Sequence, residues 1–502
     1  MVIVFGLMAT MGVLNMTTEF VPMIIPTVMI PLTLVSVGIS VVASFIAGLF
    51  GIKLKMEGPK KLLEVLLKPR VLATAFLLNA VIMGGIYLNK YWKNYPRLLS
   101  TIEKEMAVRS QTSDIAYEDV PTNQAFFKSI KSSAQAPDGV EQVWRIDTGS
   151  GSFRPAIASN GRLFSGNKEG IISEIELDSG KVVRTFYTGT MVSPRLTLWK
   201  NQLYVGEGTH DTHHARVYRF DLKEGKLVNN FQTKGHTEGQ AIVGTFENEE
   251  TLFIVSGADG LHAVDPTTLA VKWEVNPGHM DAAVVVDEKG YVFLGTGREK
   301  GDDSKNKTYA AALEFKTGKE IWKHELPASS WMRPVLAGNH ICYVTGEIYF
   351  PSERGHIVCF DRQSGEPTAG IHTLQPLAST PKVVDSSIIY TSIKGLVCRF
   401  EITSRRNLWC FDAGTKGISF AGASYDEKLH VVLYPSVSKG LYVLDANNGN
   451  VLLNWNPSDA EGPWKKTYSD VSVVGDLWII ADYDRSIRAL RAKFLPRTAY
   501  HK

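Results

Sequence analysis

Hydrophobic and polar positions divide the chain into two unlike parts. Residues 21–52 contain no charged side chain, and a second apolar run covers residues 71–88. About 20 apolar residues suffice for a helix to cross a bilayer, so both runs predict transmembrane helices. The apolar run 2–16 predicts a third short span or a leader segment that is cleaved. We therefore expect residues 1–89 to form an anchor of two or three transmembrane helices.

The segment between the two main apolar runs indicates how this anchor is oriented. Residues 52–70 carry six Lys or Arg side chains against two Glu. Short basic loops remain in the cytoplasm, so the last span would deliver the rest of the chain to the opposite side. Residues 90–136 are polar and predict a linker, and residues 496–502 predict a short tail.

The remaining residues repeat one pattern. Each unit has an apolar–polar alternation, then an acidic residue, a turn that often holds glycine, and an aromatic or apolar residue shortly afterwards. The acidic turn residues are Asp178, Asp221, Asp265, Glu314, Asp361, Glu401 and Asp445. Their spacings of 40 to 49 residues are typical of four-stranded propeller blades. The carboxylate would accept hydrogen bonds from the turn backbone, and the following Trp would pack between blades.

The two ends of the repeat region supply one further blade. Residues 486–490 match the strand that precedes a turn, and residues 140–145 match an outer strand with nothing before it. Pairing these two segments in one blade closes the ring, and the place where they pair is the seam of the propeller. A closed ring leaves no unpaired sheet edge there. The sequence therefore predicts an all-β, eight-bladed propeller over residues 137–495.

The units resemble the repeats of the PQQ-like propeller superfamily, as in Leu441–Gly449 and Glu314–Trp322. The resemblance covers residues 140–491. That superfamily includes quinoprotein dehydrogenases, which bind pyrroloquinoline quinone (PQQ) and calcium. It also includes non-enzymatic scaffolds such as the propeller lipoprotein of the outer-membrane assembly machinery. Fold alone does not choose between these functions.

Two features favour the scaffold class. The blades leave little room for the long insertions that form the dehydrogenase cofactor chamber, and the four cysteines are never adjacent. We therefore expect a non-enzymatic scaffold with no cofactor, and we keep a PQQ-dependent dehydrogenase with calcium as the alternative. Membrane glucose dehydrogenases, which also place helical spans ahead of such a propeller, support that alternative.

The resemblance also bears on location and partners. The assembly lipoprotein is tethered through an N-terminal cysteine, whereas the first cysteine here is Cys342. Apolar helices instead predict the inner membrane, with the propeller on the periplasmic or extracytoplasmic side. The expected partners are the membrane and other envelope proteins that contact the propeller loops. A net charge of +3 gives no indication of nucleic-acid binding.

The cysteines are expected to be buried and free. The alternative is a structural disulfide, because Cys359 and Cys398 both fall just before the acidic turn residue of successive units and could lie near each other. Relative to the acidic turn residue, Cys398 is shifted by one position from Cys359. Because side chains alternate along a strand, the two cysteines would then point to opposite faces of their sheets.

One polar group stands out where innermost strands begin. Alignment of the units places His236 and Glu238 at the same level as His279 and Asp281 in adjacent blades, and Asp470 at that level in the last blade. Such a group near the channel mouth could bind a polar ligand, and His236 and His279 could bind a metal, which would make the protein a sensor. The alternative is a solvated rim whose polar groups bond to water and backbone.

Overall fold

Alternating strands pair into eight four-stranded antiparallel sheets in the computed structural model. The structure describes residues 134–209, 212–299, 306–348, 354–415 and 418–495. The predicted anchor 1–89, nearly all of the linker 90–136 and the tail 496–502 lie outside the described residues. Within the described ranges, no helix has the length and apolarity needed to cross a bilayer.

Seven blades are each built from four consecutive strands, named from the innermost strand outward. Blades 1 to 3 contain β2 Ile157–Ser159, β3 Arg162–Gly166, β4 Ile171–Glu176 and β5 Val182–Tyr187; β6 Thr197–Trp199, β7 Gln202–Gly206, β8 Arg216–Asp221 and β9 Lys226–Gln232; and β10 Ile242–Phe246, β11 Glu249–Val255, β12 Leu261–Val264 and β13 Val271–Val275. Blades 4 and 5 contain β14 Val285–Val286, β15 Tyr291–Gly295, β16 Thr308–Glu314 and β17 Glu320–Leu326; and β18 Val335–Ala337, β19 His340–Gly346, β20 Gly355–Asp361 and β21 Pro367–Thr373.

The last three blades complete the ring. Blades 6 and 7 contain β22 Lys382–Val384, β23 Ser387–Thr391, β24 Leu396–Glu401 and β25 Arg406–Asp412; and β26 Ser424–Asp426, β27 Val431–Ser436, β28 Gly440–Asp445 and β29 Val451–Trp455. Blade 8 contains β30 Ser472–Val474, β31 Leu477–Ala481 and β32 Ser486–Lys493, with β1 Gly139–Asp147 as its outer strand. β1 pairs antiparallel with β32, so both ends of the repeat region share one blade. The predicted eight-bladed propeller and its seam are confirmed.

The core lies between blades. Among the described residues there are eight hydrophobic clusters, and each joins two neighbouring blades. Between blades 4 and 5, for example, the Trp322 ring lies 6.0 Å from that of Phe293 and 5.7 Å from that of Phe360. Burying one such side chain stabilises the fold by roughly 1.5–3 kcal/mol. The ring is therefore held together by the packing of each blade on the next.

Turn chemistry explains why the acidic residue repeats. The Asp361 carboxylate accepts hydrogen bonds from the backbone N–H groups of Gln363 and Ser364, and Gly365 then adopts φ +74°. In blade 1 the residue at this position is Glu176, not Asp178 as predicted. The backbone N–H of Gly180 donates to the carbonyl of Glu176, just as that of Gly365 donates to Asp361. Asp178 lies two residues further on, inside the turn.

A tryptophan hydrogen bond connects several blades at this turn. In four places the indole N–H of an outer-strand Trp donates to the carbonyl just after the acidic position of the next blade. These pairs are Trp144 to Leu177 at 2.8 Å, Trp273 to Phe315 at 2.9 Å, Trp322 to Arg362 at 3.2 Å and Trp409 to Ala446 at 2.9 Å. The turn glycine of that next blade lies against the same indole. Glycine is needed there both for its positive φ and for the close approach.

The expectation of free cysteines is wrong. Disulfides join Cys342 to Cys359 and Cys398 to Cys410, and none of the four cysteines is free. Each pair lies directly opposite on two neighbouring strands of a single blade, β19 with β20 and β24 with β25. Cys359 and Cys398 therefore have partners within their own blades rather than each other. Cross-strand register, rather than position in the repeat, decides the pairing.

Candidate functional site

The segments that enter the innermost strands meet around one cavity. All eight blades contribute to its lining, and its volume is about 420 Å³. These segments converge because each blade turns its first strand toward the central channel. The cavity is therefore the mouth of the central channel, where the sequence predicted the polar ligand candidates.

Charged side chains line this mouth in blocks. Taking one lining side chain from each blade, the order from blade 1 to blade 8 is Arg154, Arg195, Glu238, Asp281, Arg333, Lys382, Phe420 and Asp470. Two cations are followed by two acids, then by two more cations, an aromatic ring and one acid. Such blocks create regions of opposite potential inside one recess.

Asp470 is tied to the cationic side of the ring. Its carboxylate lies 3.1 Å from Lys382 Nζ and 3.5 Å from an Arg195 guanidinium nitrogen, and it accepts a 2.7 Å hydrogen bond from the Gly422 backbone N–H. Burial alone would raise the pKa of Asp470, but Lys382 and Arg195 outweigh burial and lower it. The carboxylate is therefore ionised at neutral pH and neutralises part of the local positive charge.

Burial disfavours the charge of the other two arginines, Arg154 and Arg333. Burial lowers the pKa of Arg154, and the nearby carboxylates of Glu238 and Asp470 oppose that effect. Burial also lowers the pKa of Arg333, and Arg195 lowers it further. Among the described residues, no carboxylate offsets this effect at Arg333. An anionic group that entered the mouth would therefore interact favourably with Arg333.

Two histidines share one carboxylate on the acidic side of the ring. His236 Nε2 lies 2.6 Å from Asp281 Oδ1, and His279 Nε2 lies 3.0 Å from Asp281 Oδ2. The two imidazole centroids are 5.2 Å apart, and both rings are buried. Burial would raise the pKa of Asp281, but the hydrogen bonds from His236 and His279 outweigh it and hold the pKa well below its usual range.

Short backbone bridges position this group. Gly257, at the end of β11, exchanges hydrogen bonds of 2.9 and 3.0 Å with Met280. The Gly297 N–H donates to the carbonyl of His279 at 2.8 Å. A Cβ at Gly257 would lie 2.7 Å from His236 Cε1, so only glycine leaves room for that ring. The bridges thus hold His279 through the backbone, and the His236 ring lies against Gly257.

The predicted site residues divide into two groups. His236, His279 and Asp281 meet, and their potential ligand atoms all lie within 4.8 Å of one another. Glu238 lines the cavity beside Asp281, whereas Asp470 lies across the ring with Lys382 and Arg195. The predicted ligand candidates therefore do not form a single cluster.

Sequence reasoning missed the four cations of the mouth. Alignment of the repeat units places uncharged residues, Phe153, Val192, Met332 and Ser379, at the level of the polar group, and these lie one to three residues before the charged side chains. A signal was present, because every one of these cations is next to a proline. The pairs are Arg154–Pro155, Pro194–Arg195, Arg333–Pro334 and Pro381–Lys382.

Comparisons with known proteins agree with the fold. Residues 306–491 match the protein family described as outer membrane protein assembly factor BamB. A curated protein of that name from Moranella endobia (strain PCIT) is 22% identical over a 252-residue alignment, and the match covers 45% of this chain and 61% of the relative. The chain thus covers less than two thirds of that relative's length.

Solved structures give the same picture. The crystal structure of BamB from Moraxella catarrhalis has a TM-score of 0.55 at 12% identity, and the match covers 70% of this chain and 99% of that one. The computationally designed Ika8 protein matches with the same TM-score, identity and coverage. At such identities the structures show the fold alone. Together with the family match, they confirm a PQQ-like β-propeller similar to the outer-membrane assembly propeller proteins.

Proposed function

We propose that this protein is a membrane-anchored, extracytoplasmic propeller that acts as a non-enzymatic scaffold for other envelope proteins. The observation that carries the proposal is the match of residues 306–491 to the family of an outer membrane assembly factor. The name of the curated relative points in the same direction. A rigid ring with short connections suits a docking role, because little ordering is needed when a partner binds.

The disulfides support the extracytoplasmic placement. Both bonds lie inside blades, and their four cysteines are largely or fully shielded from solvent. Disulfides form and persist in oxidising compartments and are rare in the cytosol. The apolar runs 21–52 and 71–88, with the basic segment between them, suit an anchor in the inner membrane that delivers the propeller to the outer side.

The charged channel mouth is the docking surface that we propose. Arg154 and Arg333 lie in a recess open to the surface, and among the described residues no carboxylate offsets the effect of burial at Arg333. Complementary charge raises association rates and fixes the orientation of a partner. The surface thus suits a partner that inserts acidic side chains into the mouth.

The alternative function, a PQQ-dependent dehydrogenase, fits these residues poorly. Such an enzyme needs a calcium site and an unencumbered carboxylate base. Asp281 is held by two histidines, and Asp470 is held by Lys382, Arg195 and Gly422. The ligand group at Asp281 offers two nitrogens, whereas calcium prefers six to eight oxygens. The cationic lining could hold a carboxylated cofactor, but the chemistry around the two aspartates favours the scaffold.

The test is crosslinking in cells, followed by purification of the full chain and identification of stoichiometric partners. Arg154→Gln/Arg333→Gln removes mouth charge, and Lys181→Gln/Lys226→Gln removes the same charge from exposed turn and outer-strand positions as a matched control. We expect the wild type and the control to retain a partner that the mouth variant loses. Equal retention by all three would refute the mouth as the docking surface.

The enzyme alternative is tested in parallel. Dye reduction by the purified chain would be measured with alcohols and sugars, with and without added PQQ and calcium. Turnover that depends on both additions, together with absence of any stoichiometric partner, would overturn the scaffold proposal.

A further inference from the structure

We propose that His236, His279 and Asp281 form a binding site for a zinc-class divalent transition metal between blades 3 and 4. The site would offer two imidazole nitrogens and one carboxylate, with a further coordination position facing the channel mouth. Among the described residues, these three side chains form the group of His, Cys, Asp or Glu residues whose potential ligand atoms lie close enough together to hold one metal ion. The proposal does not depend on the scaffold function.

The distances suit coordination after a small movement. Zinc binds His nitrogen and carboxylate oxygen at about 2.0–2.2 Å, which places tetrahedral ligand atoms roughly 3.3 Å apart. The two Nε2–oxygen distances here are 2.6 and 3.0 Å. An ion between these atoms needs these two distances to grow by about 0.7 and 0.3 Å, and the three ligand atoms, which all lie within 4.8 Å of one another, must reach this common spacing. Both histidines already present the same atom, Nε2, to the shared carboxylate.

At His279, a second carboxylate lies near the ring nitrogen that does not face Asp281. In the metal-free chain, Nε2–H of each histidine donates to Asp281. A metal takes the lone pair at Nε2, so the proton must move to Nδ1 or leave. Glu299 Oε2 lies 4.0 Å from His279 Nδ1. Carboxylates in this outer position commonly orient metal-binding histidines and increase their basicity.

The surroundings are built for a fixed site. The backbone bridges at Gly257 and Gly297 hold Met280 and His279, and Gly257 leaves room for the His236 ring. His236 and His279 are 3% and 8% exposed, whereas Asp281 also lines the cavity. The two histidines are thus shielded from solvent, and Asp281 is the member of the group that contacts the mouth. Sites with three protein ligands and one accessible position are typical of zinc that binds a further ligand.

The donor set determines the metal class. Two imidazoles and one carboxylate suit Zn²⁺ and its neighbours, whereas Ca²⁺ and Mg²⁺ require oxygen-rich shells. We therefore expect saturable binding of one Zn²⁺ or Co²⁺ per chain and no comparable binding of Mg²⁺. Bound Co²⁺ should show the visible absorption bands of a low-coordinate site with nitrogen ligands.

The experiment is calorimetric titration of the chelator-treated, tag-free full chain with Zn²⁺, and Mg²⁺ in parallel. His236→Gln/His279→Gln should lose one bound equivalent of Zn²⁺ and the Co²⁺ bands. His356→Gln/His372→Gln is a matched control, because those rings form another close pair, 4.8 Å between centroids. The control should bind Zn²⁺ as the wild type does. Unchanged Zn²⁺ stoichiometry in the first variant, or no saturable binding by the wild type, would overturn the proposal.

A folding defect in the first variant would not remove the test. Hydrogen exchange of the wild-type chain would be compared with and without Zn²⁺. We expect added protection at Gly257 and Met280, which connect the two blades, and none in blade 6. If Zn²⁺ changed protection equally in all blades, His236, His279 and Asp281 would be only a hydrogen-bonded contact between two blades. That result would overturn the metal site.

Discussion

The contact between the turn glycine and the interblade indole can be tested most sharply with Gly449→Ala. Gly449 has φ +72°, and a Cβ there would lie 2.6 Å from Cε3 of Trp409. Trp409 is 1% exposed and donates its N–H to the Ala446 carbonyl at 2.9 Å. The indole therefore has no free space into which it can move. The new methyl group must displace a buried ring or the turn itself.

The expected loss of unfolding free energy has two parts. Left-handed backbone costs a residue with a Cβ roughly 1–2 kcal/mol. Forcing an extra carbon into a packed site costs roughly 1–3 kcal/mol more. Gly475→Ala supplies the matched control, because Gly475 has φ +63° but its Cβ would meet no atom within 4 Å. We expect Gly449→Ala to be about 2–5 kcal/mol less stable than the wild type, and Gly475→Ala only about 1–2 kcal/mol less stable.

The assay is urea unfolding followed by tryptophan fluorescence and circular dichroism. Adding Trp409→Ala to Gly449→Ala should reduce the cost of the methyl group to that at Gly475, because the clash is then gone. Equal losses of unfolding free energy in Gly449→Ala and Gly475→Ala would refute the reasoning. It would also be refuted if Gly449→Ala still cost more than Gly475→Ala when Trp409 is replaced by alanine.

Three further predictions concern the disulfides, the mouth and the seam. Cys398→Ser/Cys410→Ser should lower the unfolding free energy by about 3 kcal/mol, since the bond closes a short loop in the unfolded chain; an unchanged urea midpoint would contradict this. The pKa of Asp470 is lowered in the folded protein, so its stabilisation is present above the ordinary carboxyl pKa of about 4 and is lost as the pH falls further. Asp470→Asn should therefore make the urea midpoint fall less steeply below pH about 4. Adding Lys382→Met should recover part of the unfolding free energy that Asp470→Asn loses at neutral pH. A midpoint that falls with pH as steeply in Asp470→Asn as in the wild type would count against the assignment. Trp144→Phe should cost about 1 kcal/mol by removing the hydrogen bond from the seam strand β1 to the Leu177 carbonyl of blade 1, and urea midpoints equal to those of the wild type would exclude that contribution.

The fold was accessible from the sequence because a propeller repeats a local rule. An acidic residue that caps a hairpin turn, followed by an outer strand, depends on neighbours a few positions away. The rule failed at Asp178 because Glu176 and Asp178 both precede Gly180. The hydrogen bond from Gly180 to the Glu176 carbonyl identifies the true position, and a fixed distance of four residues between acid and glycine would have revealed it.

The site was only partly accessible, for a different physical reason. His236, His279 and Asp281 were found because they repeat at one level of adjacent blades. The mouth cations do not repeat at a constant distance from the acidic turn, and whether a side chain faces the channel depends on how its entry segment bends. The disulfide between Cys398 and Cys410 was missed although hairpin symmetry about the turn places the two cysteines opposite each other.

The seam has a consequence for the order in which the ring assembles. β1 and β32 are neighbours in blade 8, yet Gln142 and Arg488, which bond across them, are 346 residues apart. Blades 1 to 7 consist of consecutive strands and can form as the chain emerges, whereas blade 8 must wait until β32 has been synthesised. Bringing such distant segments together has a closure entropy that local hairpins avoid, and slow, late pairing is the usual result. During this interval β1 lacks its neighbour β32, so among the described strands it is the one that waits longest for its partner.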